Sequence, residues 1–313
     1  MESINYFTSS RGLLKICNSH NKLPKSSSSE IDQDLLKNLC CGGSVYICSD
    51  ALENFAEKFL DQINTPFTLV TGDSDRSIDD YLLKTKAAEK IINNNYCINW
   101  FAQNLLTKNE KIKPLPIGVD YHTMWSTPGL WGQTRQTSIA QEFSLISIFS
   151  QSKKTLDRYY TGYCNWQFAM HRGDREDCMK KIDKNISFIE PYPLPTISSW
   201  QRQSECMFVI SPEGAGVDCH RTWEAILLGC IPVVKKSINS ELLKDLPVFI
   251  LEDWSEFNSE NMLKVVEGYH NKKYNFSPLF LNYWRMQFSR NEIFNMDPMT
   301  IEELKQFLFI KSY

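Results

Sequence analysis

Short β-rich runs alternate with helical patterns along most of this chain, and that alternation constrains the fold more than any other feature. Ser44–Cys48 and Phe67–Thr71 are apolar runs of strand length, and Tyr96–Trp100 and Ile112–Ile117 extend the series. Between them Glu30–Leu39, Leu52–Ile63 and Asp79–Asn93 carry apolar residues at three-and-four spacing. The Lys25–Ser29 stretch reads as a polar loop supplying an N-cap for a helix that starts near Glu30. Strand and helix alternation of this kind predicts a parallel sheet covered on both faces.

A second series follows. Ser138–Ser150 reads as a helix, then Tyr159–Asn165 as a strand, Glu176–Ile182 as a helix and Ile186–Glu190 as a strand. Trp200–Ser204, Arg221–Leu228 and Glu241–Leu246 are helical, interleaved with strands Met207–Ser211, Ile231–Val234 and Val248–Leu251. Helical patterns recur at Asn261–Tyr269 and Ile301–Ile310. Asp120–Thr137, punctuated by Pro128, Gly129 and Gly132, has no strong period and reads as the crossing. The expected architecture is α/β, with two Rossmann-like halves at 1–134 and 135–313 and the last helix free to return to the first half.

Composition excludes several classes. The 313 residues suit about two domains at ~100–200 residues each, and 42% hydrophobic content is enough for a sizeable core. A net charge of −3 gives no electrostatic reason to expect a nucleic-acid or anionic-membrane partner. The longest nearly apolar run, Ala225–Val234, is ten residues, whereas a spanning helix needs about twenty. Met1–Arg11 is polar and lacks a signal-peptide core. Ten scattered cysteines without a C-x-x-C read as reduced thiols. The expectation is a soluble, cytoplasmic protein.

The chemistry concentrates in Met207–Val234, where an apolar strand enters a loop, Ser211–Asp218, and a helix begins near His220 and Arg221. Gly214 and Gly216, flanking Ala215, lack Cβ atoms and so admit close approach of a phosphate or ribose. The helix start adds unpaired N–H groups. Arg221 offers a bidentate cation for a diphosphate, and Glu224, one turn further on, offers an acceptor for ribose hydroxyls. The same string also fits a plain tight turn with a surface Arg and Glu, because a lone Gly-x-Gly is weak evidence.

The whole string carries more. It resembles the donor domain of the exostosin-like glycosyltransferases: a strand, Ser/Cys-Pro-x-Gly, Arg-x-x-Glu-Ala and Gly-Cys-Ile-Pro-Val. Ser211, Pro212, Gly214, Arg221, Glu224, Ala225, Gly229, Cys230, Ile231, Pro232 and Val233 match in order. Weaker likeness extends to Leu115–His122 and Tyr159–Arg175. The resemblance implies a GT-B fold, a nucleotide-sugar donor held by the C-terminal half, and inverting transfer to an acceptor glycan. It suggests UDP-xylose, UDP-glucuronate, UDP-galactose or UDP-N-acetylglucosamine, and few charged candidates for a carboxylate-bearing sugar favour a neutral donor such as xylose. Family members vary at the position of Glu213, so no role carries over there. Membrane-anchored members carry an N-terminal span, and the polar start here is closer to their short soluble relatives.

Other residues qualify by position. Asp73-Ser74-Asp75 follows the Phe67–Thr71 strand. In a GT-A frame Asp73 and Asp75 would hold a metal–diphosphate. In a GT-B frame Asp73 is the expected general base, with Asp75 and Asp120 as the other carboxylates able to reach the acceptor. The triplet also fits an Asp-rich turn capping a helix. His122 lies beside Asp120, and His171, Arg172 and Arg175 precede a helix of the second half, with Arg175 the expected diphosphate contact. No metal or other cofactor is expected, since Arg and the helix terminus would replace it. Glu205 and Glu213 mimic a retaining E-x₇-E pattern, but the intervening strand holds them about 26 Å apart at ~3.3 Å per residue. Gly216 stands eight residues before Glu224, so the retaining pattern is absent there too.

Two rivals remain. An NAD(P)-dependent oxidoreductase needs a third glycine, where the loop has Cys219, and an acidic ribose ligand, where the chain has Lys235 and Lys236. A nucleotide-sugar epimerase would use the same donor site without an acceptor.

Overall fold

In the computed structural model, residues 2–127, 129, 132, 134–269, 272–289 and 296–311 are described. They form an α/β molecule with two parallel sheets, one of four strands and one of five. The first consists of β1 (Ser44–Cys48), β2 (Phe67–Gly72), β3 (Cys97–Ala102) and β4 (Ile112–Pro114), in that spatial order. All three pairings are parallel. Every residue of β1 and β2 is buried, as strands covered on both faces require.

An unreversed order has a consequence for cover. Right-handed crossovers that all step in one direction place their helices on one face only. That face packs Val45, Ile47, Leu69 and Trp100 against Leu52, Phe55 and Ile91 of the crossover helices. The other face presents Tyr46, Val70, Phe101 and Leu115, and its cover comes from the two ends of the chain. The Ser10–Ile16 helix supplies Leu13 and Leu14, and the Leu281–Ser289 helix supplies Leu281, Trp284 and Phe288. It is this penultimate helix that packs back; the last, Ile301–Lys311, puts Leu304 and Leu308 into the core of the second half.

The second sheet consists of β5 (Tyr159–Cys164), β6 (Ser187–Ile189), β7 (Cys206–Ile210), β8 (Ile231–Lys235) and β9 (Phe249–Leu251). Its order is β6-β5-β7-β8-β9, again all parallel. The chain steps from β5 to one side, then returns past it to β7. The order therefore reverses between β5 and β7, the position beyond whose strand carboxyl ends open α/β sheets bind their ligands.

Several expected elements differ. Glu30–Leu39 is mostly loop, with one 3₁₀ turn at Leu35–Asn38. Side chains satisfy its backbone instead: the Asp32 N–H donates to Asn21 Oδ1 at 3.0 Å, and Asn21 Nδ2 donates to the Glu30 carbonyl at 2.8 Å. The Asp79–Asn93 run splits into Asp80–Leu83 and Lys86–Asn93, because Asp79 and Thr85 each cap a new helix start. Leu52–Ile63 is helical only to Lys58 before a 3₁₀ turn, and Asn239–Leu243 is 3₁₀ where Glu241–Leu246 was expected to be α-helical. The crossing segment contains the helix His122–Ser126; its Pro128 lies outside the described residues. No helix among the described residues is long and apolar enough to cross a membrane.

Candidate functional site

Both arginines expected at the diphosphate lie at the carboxyl ends of β5 and β7, where the strand order reverses. Arg175 opens the helix Arg175–Lys181 after the β5 loop, and Arg221 is the second residue of the helix His220–Leu227 after the β7 loop. Arg175 is buried and donates through Nη1 to the carbonyls of Trp166 and Ala169, each at 3.2 Å, while its Nε has no partner among the described residues. Arg221 donates from Nε to Asn165 Oδ1 at 3.2 Å and from Nη1 to Ser211 Oγ and the Pro212 carbonyl at 3.3 and 3.4 Å. Among the described residues neither guanidinium has a carboxylate within ion-pair distance. Burial, then the nearby charge of Arg221, brings the Arg175 guanidinium down to about 10.

The loops that carry these groups are tied together. Asp174 accepts the Glu213 N–H at 2.9 Å and the Trp254 indole N–H at 2.7 Å, so its carboxylate holds the two loops in register. Gly173 has φ +54°, and a Cβ there would lie 2.5 Å from the Glu213 carbonyl oxygen. Ser211 Oγ and Thr222 Oγ1 share a hydrogen bond of 2.8 Å. A Cβ on Gly214 would sit 3.4 Å from Arg175 Nη2, which brings this loop against the arginine. Ala215 is exposed at the tip. Gly216 is used differently from expectation: it packs on Asn104 of the first half, where a Cβ would meet the amide at 2.8 Å.

Asn104 and Asp218, neither of which carries a recognisable motif in the sequence, build the contact between the halves. Asn104 Oδ1 accepts the Asp218 N–H at 3.0 Å and its Nδ2 donates to the Ser74 carbonyl at 2.9 Å. Asp218 accepts the Ile117 N–H at 2.7 Å and the Trp223 indole N–H at 2.9 Å. Burial pushes the Asp218 carboxyl up to about 6 despite these donors.

Beside this contact lies a cluster of titratable groups. Asp120 Oδ1 is 3.0 Å from His122 Nδ1 and also accepts the Thr123 N–H at 3.0 Å. His220 Nδ1 lies 2.7 Å from the Gly118 carbonyl, and the His122 and His220 ring centroids are 6.4 Å apart. Burial alone would raise the Asp120 carboxyl, but His220, His122 and the Thr123 donors outweigh it and hold it below the usual carboxylate range. Glu224, one turn after His220, accepts the Trp200 indole N–H on Oε2 at 3.0 Å, leaving Oε1 without a partner among the described residues. Burial raises its carboxyl against the opposing His220 charge.

Asp73 is placed elsewhere in character. Its side chain is 3% exposed, paired with Arg11 at 3.1 Å, and it accepts from Ser26 Oγ at 2.8 Å. Its backbone has φ +57°, its N–H donates to Gln103 Oε1, and its carbonyl accepts the Ser27 N–H. A carboxylate so enclosed and neutralised does not fit the expected role of base. Asp75 is exposed, whereas the Asp73 carboxylate is taken up by Arg11 and Ser26. Among the described residues no three or more His, Cys, Asp or Glu side chains are grouped to hold a metal ion. His171 and Arg172 are exposed on the β5 loop. No known family pattern matches the chain, and no curated protein is significantly similar to it.

Proposed function

We propose that this chain is an inverting glycosyltransferase of GT-B organisation. It takes a UDP-sugar, a neutral one such as UDP-xylose by preference, and transfers the sugar to a hydroxyl of an acceptor glycan. One observation carries the reading. Two guanidiniums without carboxylate partners among the described residues, Arg175 and Arg221, stand at the carboxyl ends of β5 and β7, where the strand order reverses. Positive charge withdrawn from water and left unneutralised by the protein favours an anionic ligand, and such a switch point is where open α/β sheets bind nucleotides. The resemblance of Ser211–Val233 to the exostosin-like donor motif names the ligand class, and the unpartnered Oε1 of Glu224 suits a ribose hydroxyl.

On this reading Arg221 and Arg175 exchange weak neutral partners for the diphosphate and stabilise the negative charge that grows as it leaves. Calorimetric titration with UDP tests it. Wild type binds, Arg221→Ala loses at least tenfold in affinity, and Arg175→Ala does likewise. Absence of UDP binding by the wild-type chain refutes the proposal.

A further inference from the structure

The donor site needs a partner that removes the acceptor proton, and the enclosure of Asp73 leaves that role open. A carbonyl or ionised carboxylate oxygen only accepts hydrogen bonds, so the proton on each imidazole of the cluster is fixed by its neighbour. A neutral His122 would carry it on Nδ1, which lies 3.0 Å from Asp120 Oδ1, and a neutral His220 on Nδ1, which lies 2.7 Å from the Gly118 carbonyl. Each neutral ring then has a basic Nε2 with no partner among the described residues. The two rings come from opposite halves of the molecule, and His220 immediately precedes Arg221.

The neighbours distinguish the two rings. A charged carboxylate behind His122 stabilises the imidazolium formed when Nε2 takes a proton. His220 opens the helix that carries Arg221 on the donor side, whereas His122 belongs to the first half, where the acceptor is expected. Asp120 is itself anchored by the Thr123 N–H, which fixes the carboxylate beside the His122 ring. This is the geometry of a base oriented by a third group.

We infer that His122 is the general base for the acceptor hydroxyl, that Asp120 is its positioning residue, and that His220 lines the passage to the diphosphate. The inference rests on the donor reading above. In the step, the acceptor O–H bond breaks and its proton passes to His122 Nε2. The oxygen bonds to the anomeric carbon. The bond from that carbon to the diphosphate oxygen breaks, and its electron pair remains on the leaving group beside Arg221.

Two measurements on the full chain test this. Nitrogen-15 imidazole spectra, with His122 assigned by its loss in His122→Gln, should show the neutral ring protonated on Nδ1. Asp120→Asn should shift that tautomer. A neutral His122 protonated on Nε2 overturns the inference whatever the turnover. The second measurement pairs UDP calorimetry with UDP release from UDP-xylose, UDP-glucose, UDP-galactose, UDP-N-acetylglucosamine and UDP-glucuronate, in water and with added methyl glycosides. His122→Gln should bind UDP within about twofold of wild type and release it about 10²–10⁴-fold more slowly from the sugar nucleotide. Normal release by His122→Gln with UDP binding intact overturns the base alone. Failure of the wild type to bind UDP, or binding without release from any donor, overturns the transferase reading and the base with it.

Discussion

The Asp218 carboxylate accepts the Ile117 backbone N–H at 2.7 Å, joining the loop after β7 to the loop after β4. That contact, with Asn104 beside it, fixes how the two halves meet next to the arginines and histidines of the candidate site. Its strength depends on the state of a carboxyl that burial has pushed up to about 6, well above the 3.8 of the free group.

The sign of the resulting pH dependence is opposite to that of a carboxylate held by an ion pair. The folded chain holds the Asp218 proton more tightly than the unfolded chain. Its contribution to stability is therefore fully present below about pH 4 and is lost as pH rises through about 6. A tenfold difference in proton affinity between the two states is worth about 1.4 kcal/mol. Urea unfolding of wild type and Asp218→Asn, compared at pH 4 and pH 7, should show the wild type losing ground against the variant as pH rises. A difference that stays constant between the two pH values would show that this carboxyl does not titrate abnormally.

Glu224 separates stability from binding. Burial raises its carboxyl, so ionised Glu224 carries a desolvation cost. Glu224→Gln removes that cost and preserves the side-chain volume, although the amide can still accept the Trp200 indole N–H through its oxygen. The variant should melt at or above the wild-type temperature. If the carboxylate binds ribose hydroxyls, UDP affinity should nevertheless fall by about 10–100-fold, the equivalent of ~1.5–3 kcal/mol for a charge-assisted hydrogen bond. Equal UDP affinity in the two proteins would leave Glu224 with a packing role only.

How much of this was legible follows from which residues speak locally. The β7–loop–helix string announces itself because strand, glycines, Arg221 and Glu224 fall within one stretch of sequence. The four-stranded sheet was legible as strands, yet its second cover was not. Leu281, Trp284 and Phe288 do have helical spacing, but nothing local says that they pack on Phe101, far away in sequence. The need for that cover emerges only once the sheet order is known to be unreversed. Asn104 and Asp218 were invisible for a related reason: each is an ordinary loop polar residue until the opposite half supplies its partner. Asp73 is ambiguous in sequence because an Asp-x-Asp after a strand looks the same whether its partner is a substrate or Arg11, and Arg11 lies in a helix that the pattern did not show.

Arg11 and Asp73 give the last prediction. Their side chains are 10% and 3% exposed and meet at 3.1 Å. Removing one partner leaves a charge buried without its counter-ion, which typically costs about 3–5 kcal/mol. Arg11→Met should therefore lower the urea midpoint markedly. Asp73→Asn leaves the arginine without a counter-ion but retains an acceptor for Ser26 Oγ, and should cost less. The double variant Arg11→Met/Asp73→Asn should recover part of the loss, because no unpaired charge remains. If Asp73 is structural, folded Asp73→Asn should bind UDP and turn over sugar nucleotide within about threefold of wild type, well inside the ~10²-fold minimum expected for loss of a general base. A loss of turnover of about 10²-fold or more with the fold intact would restore Asp73 to the catalytic role and displace His122 from it.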